Sequence, residues 1–262
     1  MRYFIDLSYN GRAYHGWQIQ PDVTTVQSEL NHALSTVLRI PLDCMGAGRT
    51  DTGVHAKQMI AHFDIDTKID TKDIVYKLNV FLHKDIHINS IKKVKPEIHA
   101  RFEALSRTYI YKISRTKNAF KYQNEHTYTL PLDVDLMNQA AKILFEHTDF
   151  QCFSKVKTDV KTYDCTIMEA YWKVDKNSLN FTIKADRFLR NMVRAIVGTM
   201  IEVGAKKRTL KEFRAIIDSK NRSNAGTSAP AHGLYLINIE YPKSIYVYEE
   251  ASIINRSFSH IN

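Results

Sequence analysis

The chain has 262 residues, of which 44% are hydrophobic and 25% are charged, so it can form a packed core without disulfides. Lys and Arg number 37 against 28 Asp and Glu, and the net charge of +9 favours a polyanionic partner such as nucleic acid; the alternative is a merely soluble basic protein. The three cysteines are far apart and form no Cys-x-x-Cys pair, so we expect neither disulfides nor a metal site. The sequence shows no signal-peptide pattern and no apolar run of membrane length, so we expect a cytoplasmic protein.

In the first part of the chain, residues 2–9 alternate in polarity and predict a strand. Thr24 and Gln27 have the spacing of a capping box, and the apolar stripe that follows predicts a helix to residue 39. Further periodic segments predict strands at 41–46, 58–65 and 86–95 and a helix at 71–83. This β-α-β-β-α-β order is typical of ferredoxin-like folds.

The second part of the chain has the same plan, with predicted strands at 106–114, 163–174, 179–185 and 233–241 and helices at 133–146, 187–204 and 209–219. We therefore expect an α+β fold of two ferredoxin-like halves. Their mainly antiparallel sheets would pack side by side, with helices on one face and an active-site cleft between the halves. The N-terminal half would cover residues 1–103, the C-terminal half 104–245, and a tail 246–262.

A glycine-rich loop at residues 46–56 is the most informative segment. Three glycines in eight residues permit positive φ and close backbone approach. Between them, Asp51 could act as a nucleophile or general base, and Arg49 could bind a phosphate or lie beside a base. The alternative is a tight turn with an Asx hydrogen bond and a surface arginine.

Other motif readings of this loop are weaker. Asp51-Thr52-Gly53 matches the aspartic-protease tripeptide, but that chemistry needs two such carboxylates and the chain has one tripeptide. A phosphate-binding P-loop would need Gly-Lys-Ser/Thr, which does not follow. Cys44, His55 and His62 lack the usual zinc spacing, so we expect His55 to be a loop hydrogen-bonding residue and His62 a strand residue.

Three arginines follow in the predicted helix at 187–204. Arg187, Arg190 and Arg194 are spaced i, i+3 and i+7, which would place them on one helix face opposite an apolar face. Such a face binds nucleic acid or is simply solvated.

The loop resembles the first signature of the tRNA pseudouridine synthase A family, Gly-Arg-Thr-Asp-x-Gly-Val-His, whose essential catalytic Asp corresponds to Asp51. The stretch 14–20 is similar to the family's Gly-Trp-Gln-x-Gln segment, and 99–102 with 107–111 is similar to its second signature. The resemblance implies that Tyr109 stacks on the target uracil. It also implies that Arg194 lies against Asp51 and fixes the direction of the carboxylate.

The segment 225–236 resembles the closing signature of the family, in which the residue at Leu234 packs on the flipped uracil. Thr227-Ser228 stands where the commonest family pattern has Pro-Thr. The resemblance covers residues 2–241. We expect Arg49, Arg187 and Arg190 to bind the substrate as well.

By this resemblance, the chain is expected to isomerise uridine at positions 38, 39 and 40 of the tRNA anticodon stem-loop, without cofactor or metal and as a homodimer with tRNA across both subunits. Whether Asp51 attacks C1′ or abstracts a sugar proton stays open. The competing hypotheses are a non-catalytic RNA-binding protein and a glycoside hydrolase, for which Asp186 is the nearest candidate second carboxylate.

Overall fold

The computed structural model describes residues 1–156 and 160–247. Within these residues it contains nine strands and five α-helices. The strands are β1 (Arg2–Tyr9), β2 (Met45–Gly46), β3 (His55–Asp64), β4 (Ile86–Val94), β5 (Ser106–Ser114), β6 (His126–Thr127), β7 (Ile167–Asp175), β8 (Ser178–Ala185) and β9 (Leu234–Glu240). The helices are α1 (Val26–Leu38), α2 (Thr71–Phe81), α3 (Val134–Ile143), α4 (Met192–Gly204) and α5 (Leu210–Asp218).

All nine strands form one sheet in the order β4-β1-β3-β9-β5-β8-β7, with β2 added to β3 and β6 to β5. The pairs are antiparallel except for β3–β9 and β5–β6. The predicted α+β character and mainly antiparallel pairing are confirmed. The sheet is continuous, whereas the sequence predicted two sheets side by side, because β9 pairs with β3 on one side and β5 on the other.

The junction between β3 and β9 lies directly after the glycine-rich loop. His55 is opposite Tyr235 and Ala56 is opposite Leu236 in this short parallel pairing. Two hydrophobic cores lie on either side of the junction, one formed with α1 and α2 and the other with α3, α4 and α5. The end of β3 that holds the loop is therefore fixed by both parts of the chain.

Helix α1 begins one residue later than the sequence predicted. Its N-cap is Thr25, whose side chain accepts from the Ser28 backbone N–H at 3.2 Å, and Ser28 completes the capping box. The predicted pair, Thr24 and Gln27, is wrong. The Gln27 amide instead donates to the Cys44 carbonyl at 2.6 Å, so this side chain connects the helix to the segment before β2.

Helix α4 begins at Met192, five residues after the predicted start. Asn191 has a left-handed backbone with φ 67°, which interrupts any helix from residue 187. The prediction that Arg187, Arg190 and Arg194 share one helix face is therefore wrong, since the first two lie before α4. Helix α4 is also buried on nearly every side, and only Arg194 and Glu202 along it are half-buried.

Several other boundaries differ by a few residues. The strand predicted at 41–46 is only two residues long, β3 begins at His55, and β7 begins at Ile167. Helix α5 begins after Thr209, and the predicted capping box of Thr209 with Glu212 is confirmed. Of the predicted tail, Tyr246 bridges to Val94, and residues 248–262 lie outside the described residues.

Candidate active site

The loop before β3 folds back on itself around Asp51. The backbone N–H of Val54 donates to the Asp51 carbonyl at 3.1 Å, and Gly53 has φ +79°, which favours glycine. Gly46 serves close approach instead, because a Cβ there would lie 2.4 Å from Nε1 of the Trp17 indole. A Cβ at Gly48 would meet open space. At two of the three loop glycines, Gly46 and Gly53, the structure therefore explains why the residue is glycine.

A second loop, residues 10–17, supports the loop around Asp51. The Trp17 backbone N–H donates to the Thr50 carbonyl at 3.2 Å, and the Thr50 hydroxyl shares a buried hydrogen bond of 2.9 Å with Tyr9. Gly16 has φ +87°, and a Cβ there would lie 2.4 Å from the Thr50 carbonyl oxygen. The backbone immediately before Asp51 is thus held on several sides, which fixes the position of the carboxylate.

Asp51 and Arg194 form an ion pair although they are 143 residues apart. Arg194 Nη1 donates to Asp51 Oδ2 at 3.0 Å, and the side chains are 21% and 25% exposed respectively. Arg194 Nε donates to the Ala229 carbonyl at 2.8 Å. The guanidinium is therefore held from two directions, and the carboxylate is oriented while part of it stays accessible to a substrate.

The segment after α5 holds Arg194 in place. The Ala229 backbone N–H donates to the Arg194 carbonyl at 2.9 Å, and a Cβ at Gly198 would lie 1.8 Å from the Thr227 carbonyl oxygen. The Ser228 hydroxyl accepts from Asn191 Nδ2 at 2.6 Å. The Ser228 side chain thus makes a contact that holds this segment against the start of α4.

Tyr109 lies on β5 with its ring edge-on to Phe188, the centroids 5.1 Å apart and the planes at 90°. Burial raises the pKa of Tyr109 to about 12; the charge of Arg107 opposes this shift and that of Asp51 adds to it. The Tyr109 phenol therefore keeps its proton at neutral pH, and it lies within electrostatic range of the Asp51 carboxylate.

Arg107 is a structural residue for which the sequence suggested no role. Its guanidinium donates to four backbone carbonyls, those of Ala47 at 3.2 Å, Arg101 at 2.6 Å, Ala104 at 3.0 Å and Asp186 at 2.7 Å. Burial is the main reason why its pKa is lowered. These carbonyls come from three different segments, so Arg107 connects the loop around Asp51 to both parts of the chain. The available signal was an arginine near the start of a strand in which aromatic residues follow.

Four predicted site residues remain, which are Arg49, Arg187, Arg190 and Leu234. Arg49 and Arg190 are exposed and Arg187 is half-buried. Among residues 1–156 and 160–247, the side chains of these three arginines make no hydrogen bond or ion pair. Leu234 is 5% exposed at the start of β9, opposite Tyr111. The structure thus pairs Asp51 with Arg194 and brings Tyr109 within electrostatic range, but it does not connect the other arginines to them.

His55 connects the loop around Asp51 to the segment before β9. Its Nδ1 accepts from the Gly11 backbone N–H at 3.1 Å, so Nε2 has the proton and donates to the His232 carbonyl at 3.1 Å. The ring stacks on Tyr235 at 4.6 Å. Burial lowers the pKa of His55 to about 4, which keeps the ring neutral. The prediction of a hydrogen-bonding histidine is confirmed, and His62 lies within β3 as predicted.

Asp186 does not resemble a free second carboxylate. Its Oδ1 accepts from the backbone N–H groups of Thr166 and Arg187, each at 2.7 Å. This oxygen is used to organise the turn after β8. Within the described ranges, no group of three or more His, Cys, Asp or Glu residues could hold a metal ion, and no helix is long and apolar enough to cross a bilayer.

An oriented carboxylate, the half-buried Tyr109 and exposed arginines on a basic chain are features typical of an enzyme that acts on a polyanionic substrate. A family model described as tRNA pseudouridine synthase matches residues 7–103 and 140–242. The chain is 50% identical to tRNA pseudouridine synthase A of Bacteroides thetaiotaomicron over 94% of this chain and 92% of that protein. It is 51% identical to the protein of the same name from Bacteroides fragilis over 94% and 98%, and 37% identical to that of Aliivibrio salmonicida over 93% and 94%. The chain belongs to the tRNA pseudouridine synthase family.

Proposed function

We propose that this enzyme isomerises uridine to pseudouridine in the anticodon stem-loop of tRNA, at positions 38, 39 and 40, and that Asp51 is its essential catalytic residue. The observation that supports the site most directly is the 3.0 Å pair between Arg194 and Asp51, in which a partly accessible carboxylate is aimed by a guanidinium. A protein that only binds RNA gains nothing from such an arrangement, because a carboxylate repels phosphates.

The reaction breaks the bond between uracil N1 and ribose C1′ and forms a bond between C5 and the same C1′. The C5 proton is lost and N1 gains one, so no redox equivalent is consumed. The target base first leaves the helix stack, at a cost of a few kcal/mol that pocket contacts offset. Asp51 either attacks C1′, giving a covalent ester, or abstracts a sugar proton to give a glycal. Arg194 positions the carboxylate for either route.

Tyr109 stacks on the uracil and assists removal of the C5 proton. Because burial raises its pKa to about 12, Tyr109 is neutral at working pH. It can therefore take the C5 proton only while giving its own hydroxyl proton to a water molecule, so that the phenol is neutral before and after the step. Leu234 forms the apolar side of the pocket, and the exposed arginines Arg49 and Arg190, with half-buried Arg187, bind phosphates of the flipped nucleotide and its neighbours.

We extend the proposal to the organisation of the protein. Residues 1–103 and 104–245 form two ferredoxin-like halves joined through β9, with the site between them, and residues 246–262 form a tail. The β4-β1-β3-β2 order of the first half supports this division. Two copies act together in the cytoplasm with one tRNA lying across both, which suits a chain too small to span tRNA alone.

The test is tritium release from tRNA that contains C5-tritiated uridine, combined with sequencing of modified positions. Wild-type protein releases tritium and produces pseudouridine at 38, 39 and 40. Asp51→Asn and Asp51→Ala fold, bind tRNA and release none. Full activity in either variant would overturn the role of Asp51. Free uracil without pseudouridine would indicate a glycosidase, and tRNA binding without either product would indicate a protein that only binds RNA.

A further inference from the structure

An exposed aromatic ring lies on the segment between β4 and β5. Phe102 is 71% exposed and Leu105 is 55% exposed. Arg101 lies over the Phe102 ring at 5.6 Å from its centroid, and the His99 ring contacts it with centroids 4.4 Å apart. We call residues His99, Arg101 and Phe102 the Phe102 platform. None of them has a role in the reaction proposed above.

The backbone under the platform is rigid, which distinguishes it from a loose surface aromatic. The Phe102 backbone N–H donates to the His99 carbonyl at 3.2 Å, and the Arg101 N–H donates to His99 Nδ1 at 3.0 Å. Ala100 is fully buried, and its N–H donates to His62 Nδ1 at 3.2 Å. The ring is therefore presented to solvent at a fixed position, so little conformational entropy would be lost on stacking.

The platform is also attached to the catalytic loop. A single nitrogen, Arg107 Nη2, donates both to the Arg101 carbonyl and to the Ala47 carbonyl. Ala47 precedes Asp51 by four residues in the same loop. The segment that holds Phe102 and the loop that holds Asp51 are thus both hydrogen-bonded to the Arg107 guanidinium.

We propose that the Phe102 platform binds an unpaired base of the tRNA that neighbours the target uridine, by stacking on Phe102, with Arg101 contacting its phosphate. This inference rests on the proposed function and adds a substrate-binding site to it. Every base has a π-face, whereas exposed phenylalanine has no favourable interaction with water. The charge around the platform is cationic on balance, because His99 lies within electrostatic range of Arg2 and Arg101 against the single acid Glu103. The whole chain has a net charge of +9, which favours RNA over a protein surface.

The test compares Phe102→Ala, Phe102→Leu and Phe102→Tyr in steady-state tritium release and in direct tRNA binding. Loss of one base stack should raise KM and Kd by about five- to a hundredfold, with kcat within about twofold of wild type, since Asp51 and Arg194 are untouched. Phe102→Leu should lose affinity like Phe102→Ala, and Phe102→Tyr should retain it. Tyr76→Ala, on α2 with 69% exposure, is the matched control and should leave both constants unchanged.

Unchanged KM and Kd in Phe102→Ala would overturn the proposal, as would wild-type affinity in Phe102→Leu, since a leucine does not stack. A shift of Phe102→Ala to a smaller oligomer in light scattering, with affinity lost in proportion, would overturn it in favour of a contact between copies. The direct Kd separates this inference from the proposed function. If wild type makes no pseudouridine, the function fails, and the platform is still tested by binding.

Discussion

Replacing Arg194 by lysine tests the geometry of the site while it preserves the charge. Arg194 makes two side-chain hydrogen bonds from different nitrogens, Nη1 to Asp51 Oδ2 at 3.0 Å and Nε to the Ala229 carbonyl at 2.8 Å. The single Nζ of lysine can reach only one of these acceptors at a time. Arg194→Lys should therefore fold and remain cationic, but it should no longer fix the direction of the Asp51 carboxylate.

The expected loss follows from the strength of one charge-assisted hydrogen bond. Hydrogen bonds to charged groups contribute about 1.5–3 kcal/mol, which corresponds to roughly ten- to a hundredfold in rate. The two side chains are 21% and 25% exposed, so solvent screens the pair in part and the lower end of the range is expected. We expect kcat/KM to fall by about ten- to thirtyfold and the Kd for tRNA to change by less than about threefold.

Single-turnover tritium release from C5-tritiated tRNA measures the effect, for wild type and Arg194→Lys. Because Arg194 acts by positioning Asp51, the rate should fall while the Kd for tRNA stays close to the wild-type value. The matched control is Arg208→Lys, whose arginine forms a comparable half-buried ion pair with Glu202, and it should react at the wild-type rate. A wild-type rate in Arg194→Lys, or a Kd for tRNA that rises as much as the rate falls, would refute the positioning role.

Two further predictions concern the support of the catalytic loop. Gly16→Ala would place a Cβ 2.4 Å from the Thr50 carbonyl oxygen at a φ of +87°, so it should lower the unfolding free energy by about 1–3 kcal/mol, and an unchanged melting temperature would contradict this. Burial lowers the pKa of His55 from 6.5 in the unfolded chain to about 4. Its contribution to stability is therefore complete above pH 6.5 and is lost as the pH falls towards 4, by up to about 1.4 kcal/mol per pH unit. Urea unfolding of wild type and His55→Asn across this range measures the contribution, and identical pH dependence would exclude it.

The local elements were predictable where a short segment determines its own structure. The alternation of residues 2–9 gave β1, and Thr209 with Glu212 gave the start of α5, because both signals act within a few residues. Asp51 could also be singled out, since a carboxylate between glycines in a signature is a local pattern. The Thr25 cap was missed by one residue because Thr24 and Thr25 are equally suitable in sequence, and the contacts of Ser28 with Thr25 and of Gln27 with Cys44 separate them.

The sequence by itself determined that the protein is a basic α+β chain with a loop built around Asp51, because composition, periodicity and glycine spacing are properties of neighbouring residues. Only the tertiary structure decided the rest. In the structure the strands form one sheet through β9. Helix α4 begins at Met192, so Arg187 and Arg190 do not lie on the predicted helix face. The tertiary structure also gave Arg107 its four carbonyl partners from three segments. Such contacts depend on how distant segments bury one another, and no local pattern encodes that arrangement.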